Sequence, residues 1–439
     1  MLAYQPGFLG YPDSGTFYVY SAGHSLFHDR WHVVGYATFL RLLHAIDASV
    51  AFAVVIQHLF GIVTAILLYL ALRRITPAWL ALVAAAVVLL GGDQTFLEHA
   101  VLSEAAFTPL LAGSLYAVVR SVEGEGWRWP AMAGVLAALS GTVRVSAVAL
   151  VPVLAVWLLA VPASRRRIKA LRAVTLASTG AVIVFAYLVV VHANTGEWSL
   201  TPNGPFNSYA RAATFADCRK FEPPAGTAWL CDRTPLDKRE ESRWYLFSGG
   251  PLVRRYGRPF RVPRSVLPEL SRFARAAAFH QPIDWWRAAA TDFRSYIDQR
   301  PSRPERTAAG YLTVLTWPQR TRAAMPYVTA YYGPTRVTQR HGLLDRLRDY
   351  AGVTRIAGKR MATLLLLALL APLACRGRVR LGALLFAAVA FTVMAVPVLT
   401  LGYDARYGVP AYGPLVAAAA MGGYGIVTRL MELRGRATA

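Results

Sequence analysis

The sequence predicts an all-α polytopic membrane protein with about nine transmembrane helices and a mainly helical cap on the extracytoplasmic face. Composition is the first reason. Of 439 residues, 55% are hydrophobic and only 16% charged, and a mean hydropathy of +0.37 is too high for an ordinary soluble domain. The second reason is that apolar runs recur with arginines collected on alternate sides of them. The third is a single long polar section, residues 193–360, set between two groups of such runs.

The net charge of +23 raises the question of nucleic acid, because basic chains neutralise phosphates. The excess is almost all arginine and is spread over short loops and one long loop. That distribution argues against a nucleic-acid partner and for lipid phosphate and an anionic bilayer surface, where each juxtamembrane arginine gains roughly 1 kcal/mol.

Residues 1–49 form an extracytoplasmic first loop. Its segment YPDSGTFYVY, residues 11–20, puts Asp13 in a setting of aromatic and small residues, with Tyr18 nearby. PDSG is also an ordinary turn sequence, so a turn or cap role for Asp13 stands beside a chemical one. Over residues 28–49, Val33, Tyr36, Leu40 and Leu43 fall near helical spacing with Arg41, His44 and Asp47 between them. This predicts an amphipathic helix lying in the membrane interface. The opening MLAYQPGFLGYPDSG carries neither a basic n-region nor a continuous apolar run. With the loop outside the membrane, the expectation is that a first transmembrane helix precedes Met1.

Six spans are expected within residues 50–192, at 50–72, 78–92, 103–120, 131–143, 145–161 and 173–192. Three more follow within 361–439, at 361–375, 381–401 and 411–429, ending in a cytoplasmic tail. A crossing takes about 20 apolar residues, so 78–92 and the pair inside 131–161 are short and call for local thinning or burial in a bundle. Gly141 and Arg144 argue for two helices in 131–161 rather than one. Arg73 and Arg74, Arg120 with Arg128, the run from Arg165 to Arg172, Arg376 to Arg380, and Arg429 to Arg436 then share one side. By the positive-inside rule that side is cytoplasmic. Asp13, Asp93, Glu98, Arg144, Asp404 and Arg406 share the other, which predicts a plasma-membrane protein with its chemistry on the extracytoplasmic face.

Residues 193–360 read as the cap, since long loops cross regardless of charge. SVLPELSRFARAAAFH and DWWRAAATDFRSYIDQ look like short amphipathic helices with Trp and Phe for the headgroup level. Cys218 and Cys231 lie in this section. An extracytoplasmic location allows a disulfide between them, worth about 3 kcal/mol; two unpaired thiols are the alternative.

YPDSGTFY before the interfacial helix, LSEAAFTPLLAGSLYAVV opening the third span, AGVLAALSGTVRVSAVALVPVLAVWLLA, and YDARYGVPAYGPLVAAA near the end are similar to recurring segments of the GT-C superfamily of glycosyltransferases. That superfamily includes protein mannosyltransferases, the lipid A aminoarabinose transferase and mycobacterial arabinofuranosyltransferases. The resemblance covers the membrane part, about half the chain, and residues 203–232 resemble actinobacterial members. Two features depart from the pattern. The family has a helix before its first acidic loop, and its LTRP element stands here as GTVRVS.

The resemblance implies a metal-independent, inverting transfer of a sugar from a polyprenyl-phosphate donor to an extracytoplasmic hydroxyl of a glycan, lipid or protein. It gives Asp13 the part of general base and likens Arg406 to a late arginine that contacts the lipid phosphate, although Asp404 offers it a structural pair. Glu98 is placed to orient the acceptor or support the base. Asp93 serves the substrate or simply ends the second span. Glu104 sits in an apolar helix, where an unpaired carboxylate costs about 3 kcal/mol, and serves the chemistry or caps the helix. A lone arginine at the depth of Arg144 points to phosphate binding through its planar fork, with an interfacial anchor as the alternative. Tyr18 and Arg211 complete the candidate binding set. No HExxH pairing, Walker-type loop or dinucleotide fingerprint occurs, and His24, His28 and His32 read as ordinary imidazoles, so neither metal nor cofactor is expected. The competing classes are a lipid-linked glycan translocation protein and a polymer ligase.

Overall fold

The computed structural model describes residues 2–124, 126–162, 165–257, 259–298, 307 and 310–437. A helix occupies each of the nine apolar segments: Val50–Leu72, Ala78–Leu90, Ser103–Arg120, Arg128–Val143, Leu150–Ala160, Arg166–Thr195, Gly358–Ala374, Gly377–Thr400 and Tyr412–Ala437. Fewer than nine are long and apolar enough to cross a membrane. Among the described residues four qualify alone, and six if Ala78–Leu90 with Gly92–Glu98, and His341–Thr354 with Gly358–Ala374, each count as one bent span. Length is the reason: Arg128–Val143 has 16 residues and Leu150–Ala160 has 11, and at about 1.5 Å per residue neither reaches across a hydrocarbon core of about 30 Å.

The helices sort their faces as a bilayer requires. Arg166–Thr195 turns Val174, Val182, Phe185 and Val190 outward, the reverse of a helix in water. Where helices meet they do so through small residues. A Cβ on Gly134 would lie 2.2 Å from the Leu176 carbonyl oxygen, so only glycine lets Arg128–Val143 come so close to Arg166–Thr195.

The first loop is built into the protein. Tyr4–Gln5 pairs antiparallel with Thr338–Gln339, and Ser14–Val19 forms a wide, π-type helix. Gly35–His44 is amphipathic, as its spacing predicts, and it turns its apolar face toward other helices of the protein. Its apolar face, Tyr36, Ala37, Leu40 and Leu43, is buried where the helix packs on Val50–Leu72 and Arg128–Val143.

Residues 193–360 contribute to two hydrophobic cores. Phe206, Tyr209, Phe221, Tyr245, Leu246 and Phe273 make a separate cluster, in a unit that carries the Cys218–Cys231 disulfide. Val314, Leu315, Ala324, Val328 and Leu344 join the main core with the first loop and the membrane helices. Gly10 N–H donates to the Leu315 carbonyl at 3.1 Å, which ties the two ends of this arrangement together.

Candidate active site

A cavity of about 390 Å3 opens where the first loop, the start of Ser103–Arg120, the helix break at Arg144, the 204–277 unit and the turn around Arg406 converge. Each of these elements delivers a charged side chain for a local reason. Asp13 stands at the N-cap of Ser14–Val19 but makes no capping bond, so its carboxylate is available to other partners. Glu104 lies in the first turn of its helix, where the macrodipole favours a negative charge. Arg144 interrupts two helices with an extended backbone, φ −141° and ψ 117°, and so swings out of the apolar stack. Arg406 sits in a single 3-10 turn that Asp404 caps by accepting from the Arg406 backbone N–H at 3.2 Å.

These groups form one ion-pair network. Arg406 Nη2 donates to Asp13 Oδ2 at 2.6 Å. The same guanidinium lies 3.4 Å from Glu104 Oε1 and 3.5 Å from Asp404 Oδ2. Arg144 Nη1 is 2.6 Å from Glu104 Oε1. Tyr11 O–H and Arg243 Nη1 both donate to Asp404 Oδ2, at 2.6 and 2.8 Å. The Tyr407 ring is surrounded by Arg144, Arg243 and Arg406 at 4.9, 5.1 and 5.3 Å, and its hydroxyl also accepts from Arg243. Tyr18 O–H donates to Ser103 Oγ at 3.0 Å.

The two oxygens of Asp13 are not equivalent. Oδ2 takes Arg406 and, at 3.6 Å, His32 Nε2; among the described residues nothing bonds Oδ1. Burial by itself raises a carboxyl pKa, but Arg406 and then His32 outweigh it and hold Asp13 well below the usual carboxylate range. Burial lowers a histidine in the same way, and Asp29 and Asp13 outweigh it, so His32 is pushed up to about 10.

Asp13, Tyr18, Glu104, Arg144 and Arg406 therefore meet at one cavity, and three other expected residues stand elsewhere. Glu98 faces His58 Nδ1 at 3.2 Å and accepts from Gln94 at 2.9 Å, lined up with the membrane helix Val50–Leu72 and not with the cavity. Asp93 is buried at the start of Gly92–Glu98. Arg211 pairs with Asp292 and ties Gly204–Ala213 to Pro282–Asp298. All three share a membrane face with Asp13 in the sequence reading, but lateral position within that face is set by helix packing.

His32, Arg243, Arg320, Tyr11 and Tyr407 line the cavity without having been singled out as site residues. His32 had a signal, the Asp29 three residues earlier. Arg243 and Arg320 had none, being two arginines in an arginine-rich section.

Residues 32–190 match the family described as dolichyl-phosphate-mannose-protein mannosyltransferase. This is a family of the GT-C type, in agreement with the resemblance carried by the sequence segments. The match spans a little over a third of the chain and includes Glu104 and Arg144, while Asp13 and Arg406 lie outside it. Together with the apolar helices it indicates a membrane glycosyltransferase that draws on a lipid-linked sugar. No curated protein and no solved structure matches the chain.

Proposed function

We propose that the protein transfers a sugar from a polyprenyl-phosphate donor to an extracytoplasmic hydroxyl, with inversion, no metal, and Asp13 as general base. The observation that carries this is the asymmetry of Asp13, whose Oδ2 is clamped by Arg406 at 2.6 Å while Oδ1 stays open. The acceptor hydroxyl gives its proton to Oδ1 as its oxygen bonds to the anomeric carbon. The bond from that carbon to the phosphate oxygen breaks on the opposite face, and its electron pair leaves with the lipid phosphate.

The leaving phosphate needs cations that are not already neutralised. Arg406 has three carboxylates around it, so it serves Asp13 first and the phosphate only secondarily. Arg144 shares Glu104 with Arg406 and keeps the rest of its fork for phosphate. Arg320 lines the cavity and stacks on Trp317 at 5.1 Å, and among the described residues no carboxylate pairs with it. Arg144 and Arg320 are therefore the phosphate residues in this reading. Val143, Val145, Pro397 and Leu401 form an apolar wall of the same cavity, along which the isoprenoid chain runs into the bilayer.

The orientation belongs to the same proposal: the apolar helices set in the bilayer with the arginine clusters inside, and the cavity on the extracytoplasmic face of the plasma membrane. The acceptor is a glycan, lipid or protein hydroxyl. The deciding experiment is sugar transfer by Asp13→Asn, which keeps size and hydrogen bonding but removes the base. A fall of about 100-fold or more is expected with unchanged expression, and near-normal transfer rejects the assignment.

A further inference from the structure

We propose that Asp29 and His32 form a positioning pair for the base, which together with Arg406 dedicates Asp13 Oδ1 to the acceptor hydroxyl. This rests on the reading of Asp13 as base. Asp29 is nearly buried, at 8% exposure, and its Oδ1 accepts from the backbone N–H of Trp31 at 2.8 Å and of His32 at 3.4 Å. Its other oxygen lies 2.6 Å from His32 Nδ1. The imidazole is further confined by the Phe17 and Tyr18 rings at 5.2 and 4.8 Å. A ring fixed at Nδ1 and on its faces has one direction left for Nε2, which points to Asp13 Oδ2 at 3.6 Å.

A carboxylate terminus turns easily about its last torsion, so an isolated Asp13 would offer either oxygen to the acceptor. Two cations on Oδ2 remove that freedom. Arg406 comes from the turn after Gly377–Thr400 and His32 from the first loop, so Oδ2 is held from two elements far apart in the chain. Asp29, which does not line the cavity, acts only through His32. The charged and titratable groups that face the pair are Asp13 and Tyr18 from the segment before it, Arg406 from the late turn, Glu104 behind Tyr18, and Tyr187 of Arg166–Thr195 on the Asp29 side. Loss of His32 removes a cation from Asp13 and leaves Arg406 in place. The base then stays ionised at neutral pH but becomes harder to keep ionised in acid.

The test is hydrolysis, with water as acceptor, of decaprenyl phosphate carrying mannose, glucose or arabinofuranose, using whichever the wild-type protein turns over fastest in detergent. His32→Gln is expected to lower kcat about 10- to 100-fold through misplacement of the base, with KM for the donor changed by less than about 2-fold and the acid limb of the pH–rate profile moved to higher pH. Asp29→Asn is expected to do the same to a smaller degree, and it carries the test if His32→Gln does not accumulate. Asp13→Asn is measured beside them. Wild-type rates in Asp13→Asn remove the base itself. An inactive Asp13→Asn with His32→Gln and Asp29→Asn unchanged in kcat and acid limb, or raised only in KM, overturns the positioning role and leaves the base standing.

Discussion

Arg406 Nη2 donates to Asp13 Oδ2 at 2.6 Å across 393 residues of sequence, and the arginine is only 5% exposed. A guanidinium this buried is stable only because Asp13, Glu104 and Asp404 surround it; removing it takes one cation from each of the three, leaving them out of water with His32, Arg144 and Arg243 alone. Breaking one side of a buried pair costs about 3–5 kcal/mol, so Arg406→Gln is expected to lose most of its folded yield in detergent. Arg406→Lys keeps the charge but not the fork and should fall between. Thermal unfolding followed by tryptophan fluorescence checks this, and a glutamine variant as stable as wild type contradicts it.

Donor binding separates the arginines by role. Arg320→Gln removes a charge-assisted contact to the phosphate, worth about 1.5–3 kcal/mol, or roughly 10- to 150-fold in affinity. Because Arg320 stacks on Trp317 without an ion pair to a carboxylate among the described residues, its melting temperature should stay at the wild-type value. Arg144→Lys should recover only part of the affinity that Arg144→Gln loses, since the ammonium cannot span Glu104 and a phosphate at once. Full affinity in Arg320→Gln would take this residue out of the donor site.

Stability should depend on pH through His32. Its folded pKa is raised to about 10 against about 6.5 unfolded, so its contribution is complete below about pH 6.5 and fades as pH rises, vanishing above about 10. The melting temperature of the wild type minus that of His32→Gln should therefore shrink steadily over that window. A difference that is flat from pH 6 to pH 10 shows that the histidine is not charged between Asp29 and Asp13.

Orientation has its own check. Single cysteines at residues 200–250 should react from outside intact cells with a membrane-impermeant maleimide, and cysteines at 166–170 should not. Labelling of both sets overturns the arrangement of spans.

The sequence by itself determined the class of the protein and the chemistry to look for. Apolar runs separated by arginines dictate helices in a bilayer because hydrocarbon leaves no other way to satisfy backbone polar groups. A helix duly occupies each of the nine runs, and an Asp, a Glu and two Arg in the right segments were enough to nominate Asp13, Glu104, Arg144 and Arg406. Only the tertiary structure decided which candidates meet. Asp13 and Arg406 come together because the first loop is pinned to residues 315 and 338–339, a contact with no local sequence signature. Glu98 and Arg211 read as well as Glu104 did, yet packing turned one toward His58 and the other toward Asp292. The span count was equally undecidable from composition, because the short helices are apolar but lack the length to cross alone. His32 and Arg320 gain their significance only from neighbours distant in the chain, since the worth of a charge depends on whether another charge lies within a few ångströms in space.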